Sequence, residues 1–593
     1  MTNRNIVFTA VIVLCSVFSI QAQHKFYLDL NNRETDLFTI TLFPDNLSEE
    51  NNIYQFAATA PGTYSRMDIG RFVKSFKAYD EDGNEIGTFQ KSVNQWMITS
   101  PEEVEKIIYE IEDTWDAQTD SNFMFRMVGS NIQQDNVLIN GQCVFGYFHG
   151  MQDEPLNIKI YYPEDWIYGT ALQVNSDGYF EAYNFDYIVD SPILLGNLTR
   201  ESTTISNTDI DVYTYSKTGL IKSADILNSV EDILNAANEF TDGLPVDNYT
   251  FLFHFEDVTH GAWEHSYSSF YVYKEASLNS DLVESIREIV AHEFFHIVTP
   301  LNIHSEVVEQ FNFVEPVMSQ HLWFYEGVTE WAANIIELRG SLISIGDYLD
   351  ILHQKLIHND NFNQDISLTY LGVNSTKLPD QFFNIYQKGA VVAALLDLRL
   401  LELSGGTKGL REVINELSEK YGPDKPFSEK DFFDEFTDMT FPEIKDFFVK
   451  YIDGTEPLPI KEYFNKIGIK YSALGDYDSS NVSLGVSIGF NGNNFIISRV
   501  DEASPNYNTL KPGDILDMMN GEKLSIQNIQ EKINRVKNDK KPGDKISLTV
   551  LRDNEPIDLP ITLSANREKH IFTINENASP EKINLRNAWL KNL

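Results

Sequence analysis

His292-Glu293-Phe294-Phe295-His296 places two histidines four positions apart with a glutamate beside the first, the HExxH pattern. On a helix, side chains four apart lie one above the other on one face. Both imidazoles can then grip one metal ion as neutral nitrogen ligands at about 2.0–2.1 Å. Glu293 sits beside that face, where a general base that activates water is needed. Leu282, Ile286, Ile289 and Val290 form an apolar stripe ahead of the motif, which predicts a helix over 281–299. Pro300 ends it soon after the second histidine. On the pattern alone, two unrelated histidines on a surface helix remain the bland alternative.

A site open to a substrate needs a third protein ligand, and a separate helix must bring it. Trp323-Phe324-Tyr325-Glu326-Gly327-Val328-Thr329-Glu330-Trp331 provides the candidate within a predicted helix over 320–338. Glu326 follows His296 by 30 positions, enough chain to turn and come back antiparallel. Glu330 lies one turn further on the same face, placed to accept the free N–H of a ligating histidine. The neighbouring Trp323, Phe324 and Trp331 argue against two merely exposed glutamates. His, His and Glu are a zinc-type donor set, one ion per chain, although ligand type alone admits other divalent ions. Tyr386-Gln387-Lys388-Gly389 opens a helix rich in Ala and Leu, predicted over 387–404. A tyrosine there can donate to a developing oxyanion; by spacing alone it reads equally as a core aromatic.

The rest of the chain frames this centre. Its 593 residues carry 46 basic and 88 acidic side chains, a formal net charge of −42. That balance argues against nucleic acid, whose phosphates require a basic footprint. It serves solubility first and disfavours anionic substrates second. Residues 1–22 read as a signal peptide: Arg4, an apolar run from Ile6 to Ile20, then Ala22. A periplasmic or secreted protein is expected, with no transmembrane anchor after cleavage. Of the two cysteines, Cys15 lies in that segment, so the mature chain keeps only Cys143 and forms no intrachain disulfide. Val144 and Phe145 predict a strand around Cys143 and a buried structural thiol.

Three architectures follow one another. Residues 23–165 alternate in the manner of a β-sandwich, with 25–30, 37–43 and 157–162 as strands, and carry no motif with chemistry. Residues 166–475 are mostly helical, including 223–240 with Ser223 as N-cap, around a strand over 249–255. Residues 478–566 return to short strands, and 567–593 read as a short polar tail.

In order along the chain, Leu244-Pro245, Tyr249 to Phe255, Gly261-Ala262-Trp263-Glu264-His265, His292 to His296, Phe324 to Thr329 and Tyr386 to Gly389 resemble the glycyl aminopeptidase family of gluzincin metallopeptidases. The resemblance spans roughly residues 25–565. It implies a multidomain α+β chain: an N-terminal β-sandwich, a thermolysin-like, mostly helical catalytic domain and a C-terminal PDZ domain. It further implies zinc on His292, His296 and Glu326, Glu293 as general base and Tyr386 as oxyanion donor. Glu264, in an edge motif beginning at Gly261, is implied to hold the substrate's α-ammonium. Ala262-Trp263 departs from the usual Gly-Leu of that motif, and Ile297 to His304 departs from the usual run after the second histidine. Ser483-Leu484-Gly485-Val486 resembles the carboxylate-binding loop of a PDZ domain, which takes a peptide C-terminus as an added strand.

The expected activity is removal of small N-terminal residues, Gly or Ala, from peptides with a free N-terminus. The rivals are a zinc endopeptidase on the same site and a PDZ-based peptide-binding protein.

Overall fold

The computed structural model describes residues 23–117, 124–490, 494–501, 503–525 and 528–591. The expected signal peptide lies outside them. Among the described residues, no helix is long and apolar enough to cross a membrane.

Phe38, Ile40 and Leu42 alternate with less buried neighbours along the strand Leu37–Phe43, so one face closes completely. That strand pairs with His24–Asp29 and Lys106–Glu112 inside an eight-stranded sheet; two four-stranded sheets complete the first domain around a shared aromatic core. The domain runs past the expected boundary at 165, because Ile193–Gly196 pairs with both Asn136–Ile139 and Ile167–Gly169. Around Cys143 the chain makes one helical turn, Gly141–Val144, instead of a strand. The thiol donates to the Val128 carbonyl at 3.2 Å, and burial pushes its pKa up.

The second domain begins at Thr199 with a five-stranded sheet. Thr208–Ser216, Asn248–Glu256 and Ser268–Lys274 run parallel; Gly261–Glu264 forms an antiparallel edge. Asn248–Glu256 is buried at every position after the first, as a parallel strand covered on both faces must be. On one face pack the helices Ser223–Phe240, Ser280–Phe295 and Thr329–Arg339. On the other, Tyr215, Leu252, Phe270 and Val272 meet Trp115, Leu138 and Leu194 of the first domain, so the two domains share a core. Ser223 does not cap its helix; Lys222 holds that position, and the Ser223 hydroxyl bonds the Thr199 carbonyl at 2.8 Å.

Past the second domain, the chain leaves and returns through a two-stranded antiparallel ribbon, Ile469–Ser483 against Ser564–Ile574. Between them lies the PDZ unit, a sheet of Val486–Phe490, Phe495–Val500, Ile515–Met519, Lys545–Arg552 and Glu555–Thr562 with the helix Ile529–Asp539 and its own core. The segment after 566 is no polar tail. It finishes the ribbon and then forms the helix Pro580–Leu590, whose Trp589 is fully buried in the core of the second domain. A single buried indole in a polar stretch has no periodic signature.

Candidate metal centre and catalytic site

The Ser280–Phe295 helix buries Ile286, Val290, Phe294 and Phe295 in the core, which turns His292 and Glu293 toward the sheet edge. The helix stops at Phe295, one turn short of expectation, and His296 becomes its C-cap. The early stop lets the Thr299 carbonyl fold back to within 2.9 Å of His296 Nδ1. On His292, Nδ1 meets Glu330 Oε2 at 2.7 Å, and the other Glu330 oxygen is held by the buried Lys355 ammonium. Acceptors at both Nδ1 atoms put the free lone pairs on Nε2, the state a metal requires.

Glu326 arrives on a helix whose first turn, Trp323–Val328, is π-helical before it becomes α-helical at Thr329. Such widened turns recur at functional sites. A close crossing sits beside this turn: a Cβ on Gly327 would stand 2.6 Å from Gly389 Cα, and one on Gly389 would stand 2.8 Å from Gly327 Cα. Only glycine at both positions lets the helix bearing Glu326 lie directly on Asn384–Leu403, the helix that bears Tyr386. That helix starts three residues earlier than expected and so takes in Tyr386.

Glu326 Oε2 lies 3.5 Å from His292 Nε2 and 3.6 Å from His296 Nε2. The three ligand atoms lie within 4.8 Å of one another, and all three residues are buried. Two imidazole nitrogens and one carboxylate oxygen, with their outward atoms already bonded, fit a divalent cation. Burial opposes charge on His296 and lowers its pKa to about 4, which keeps it neutral as a ligand must be. Burial pushes the Glu293 carboxyl up to about 7, a value suited to accepting and returning a proton near neutrality.

Glu264 ends the edge strand, and its carboxylate groups with Glu293 and His296. Burial raises its pKa well above the carboxylate range, and the Glu326 and Glu293 carboxylates add to the shift. A cationic guest is the natural remedy for three such carboxylates. Tyr386 lies beside His292, ring centroids 5.8 Å apart, and burial followed by Glu326 raises its pKa, so its hydroxyl is a donor. Gly261 is placed differently: its would-be Cβ lies 2.7 Å from Met127 Sδ, at the far end of the strand from Glu264.

The first domain, expected to carry no chemistry, reaches the centre. Tyr64 donates its hydroxyl to Glu326 Oε1 at 2.6 Å, and Gly62 lies against Glu264. A cavity of about 1090 Å³ opens from this point between the domains, lined by Gly62, Tyr64 and Glu264 and by Asp186, Asp190 and Asp424. In the sequence only the Pro61-Gly62 turn marks this loop. Lys355 likewise gave no signal.

A sheet with an antiparallel edge strand, an HExxH helix behind it and a glutamate ligand from the next helix define a gluzincin metallopeptidase. Family models agree along the chain: the Peptidase M61 N-terminal domain matches residues 25–197, M61 glycyl aminopeptidase matches 285–392 and a PDZ domain matches 482–563. Two of these three matches are to M61 models, in the N-terminal and catalytic regions, and the chain is a metallo-aminopeptidase. Its fold is shared with an aminopeptidase N family protein from Idiomarina loihiensis, at 19% identity and a TM-score of 0.79 over 96% of this chain and 100% of that one. An M1 zinc metallopeptidase from Deinococcus radiodurans follows at 10% identity, covering 74% of this chain and 94% of that one with a TM-score of 0.46. Yeast LTA4 hydrolase matches at 14% identity, covering 75% and 70%, with a TM-score of 0.46. No curated protein sequence matches the chain.

Proposed function

We propose that the chain is an exported zinc aminopeptidase that releases small N-terminal residues, glycine and alanine, from peptides. The observation that carries this reading is Glu264, a buried carboxylate at the end of the edge strand, grouped with Glu293 and His296. A peptide added along Gly261–Glu264 places its α-ammonium on Glu264 and its first peptide bond over the ligand set. The acidic cavity lining favours such a free, positively charged terminus.

One zinc ion per chain, held by His292, His296 and Glu326, supplies the Lewis acidity that polarises the scissile carbonyl. Glu293 takes a proton from the attacking water and delivers it to the leaving amine. Tyr386 donates a hydrogen bond to the oxyanion as it forms. Glu330 and Lys355 fix the orientation of His292. The rings of Tyr64, Phe382 and Tyr386, with centroids 5.3 and 5.7 Å apart in sequence, make an aromatic wall that favours a small first side chain. Export rests on residues 1–22.

Hydrolysis of Gly, Ala and Leu reporters beside their N-acetylated forms, with and without a chelator, tests the assignment. Chelator-sensitive cleavage of the free-amine substrates alone, fastest for Gly and Ala, is expected. Cleavage of the blocked forms would make the enzyme an endopeptidase and remove the role of Glu264.

The PDZ unit is assigned a peptide C-terminus. Val486–Phe490 is an edge strand next to the Ser483–Val486 loop, positioned to accept an added strand. Titration of the full-length Glu293→Gln chain with N-acetylated peptides is expected to give binding when the C-terminus is free and none when it is amidated. Equal behaviour of the two ends the assignment.

A further inference from the structure

We infer that the loop Ala60–Tyr64 of the first domain is a working part of the metal centre: Tyr64 positions the ligand Glu326, and Gly62 sets the seat of Glu264. This rests on the metalloaminopeptidase reading and assigns two residues beyond it.

Glu326 divides its oxygens. Oε2 faces the two histidine nitrogens, and Oε1 receives the Tyr64 hydroxyl at 2.6 Å. A carboxylate held at one oxygen presents the other in a single orientation, so the phenol selects which oxygen is free for the metal.

The loop is built to stay in place. Tyr64 has φ +46°, a left-handed conformation that a bulky residue keeps only where the surroundings impose it. Thr63 Oγ1 bonds the Ala60 carbonyl at 2.7 Å, Thr59 Oγ1 bonds the Ser65 carbonyl at 2.6 Å, and Ala58 N bonds the Phe313 carbonyl at 2.7 Å. Trp263, next to Glu264, donates its indole N–H to the Pro61 carbonyl at 3.2 Å. The shared core beneath, where Trp115, Leu138 and Leu194 pack on the sheet, fixes the first domain relative to the edge strand.

Gly62 has no room for a side chain. A Cβ would lie 2.3 Å from Glu264 Oε1 and 2.8 Å from Trp263 Nε1, and its φ of +75° already favours glycine. The loop therefore closes one side of Glu264 and determines where the substrate's ammonium rests.

Two full-length variants separate these roles. Zinc affinity is read by competition with a chelator of known affinity, and kinetics are read at saturating zinc with the Gly reporter. Tyr64→Phe keeps the ring; it is expected to weaken zinc binding about 10–100-fold, with KM near wild type once zinc saturates. Gly62→Ala is expected to raise KM severalfold and leave zinc affinity unchanged. Thermal unfolding of the metal-free proteins verifies that both variants fold. Unchanged zinc affinity in Tyr64→Phe overturns the positioning role, whichever peptides the enzyme cuts. Unchanged KM in Gly62→Ala overturns the second role.

Discussion

Replacing Glu293 by Gln is expected to lower kcat by about 10²–10⁴-fold, the usual contribution of a general base, while zinc content stays at the wild-type level. The amide matches the carboxylate in shape but accepts no proton from water. None of the three ligands contacts metal through Glu293, and the polar partners at both Nδ1 atoms are independent of it. KM for the free-amine reporter should change little, because Glu264 and the edge strand remain. Metal analysis beside steady-state kinetics checks this. Turnover within a few-fold of wild type would remove Glu293 from the chemistry; loss of zinc would make it a structural support of the site.

The second large effect is on stability and lies far from the chemistry. Trp589→Ala is expected to destabilise the metal-free chain by about 3–5 kcal/mol, the range for deleting a large buried aromatic. The indole is fully buried, edge-on to Tyr348 at 5.6 Å. Its backbone carbonyl accepts from Arg339 Nε at 3.0 Å, and Arg339 forms a fully buried pair with Asp397 at 2.6 Å. A cavity at Trp589 therefore adjoins a buried ion pair that relies on close packing. The midpoint of urea unfolding reads the effect. A loss below about 1 kcal/mol would show that the last helix is an accessory to the core.

The centre was legible where chemistry and helical period coincide. The spacing of His292, Glu293 and His296 carries its own geometry, and aromatic flanks marked Glu326 as buried and Glu330 as turned partly inward. What stayed hidden depends on contacts that no local period records. Tyr64 meets Glu326 across 262 positions, and a tyrosine in a loop looks like any other until the fold closes. Lys355 belongs to a helix whose polar face gives no hint that one ammonium turns inward. The π-helical turn at Trp323–Val328 lies against Gly389, which is on another helix. The first domain was readable as alternating strands, but its end was misplaced because Ile193–Gly196 reads as a continuous apolar run that fits either neighbour.

The ribbon Ile469–Ser483/Ser564–Ile574 also bears on how the molecule is made. Ser483 and Ser564 face each other across its last rung, so everything between them is an excursion from a ladder that is complete without it. A chain emerging from the ribosome must finish that excursion before the returning strand and Trp589 can seal the second domain. The peptidase core thus begins before the PDZ unit and closes after it, and a chain broken between Glu326 and the helix Pro580–Leu590 carries the metal ligands without the lid of their core.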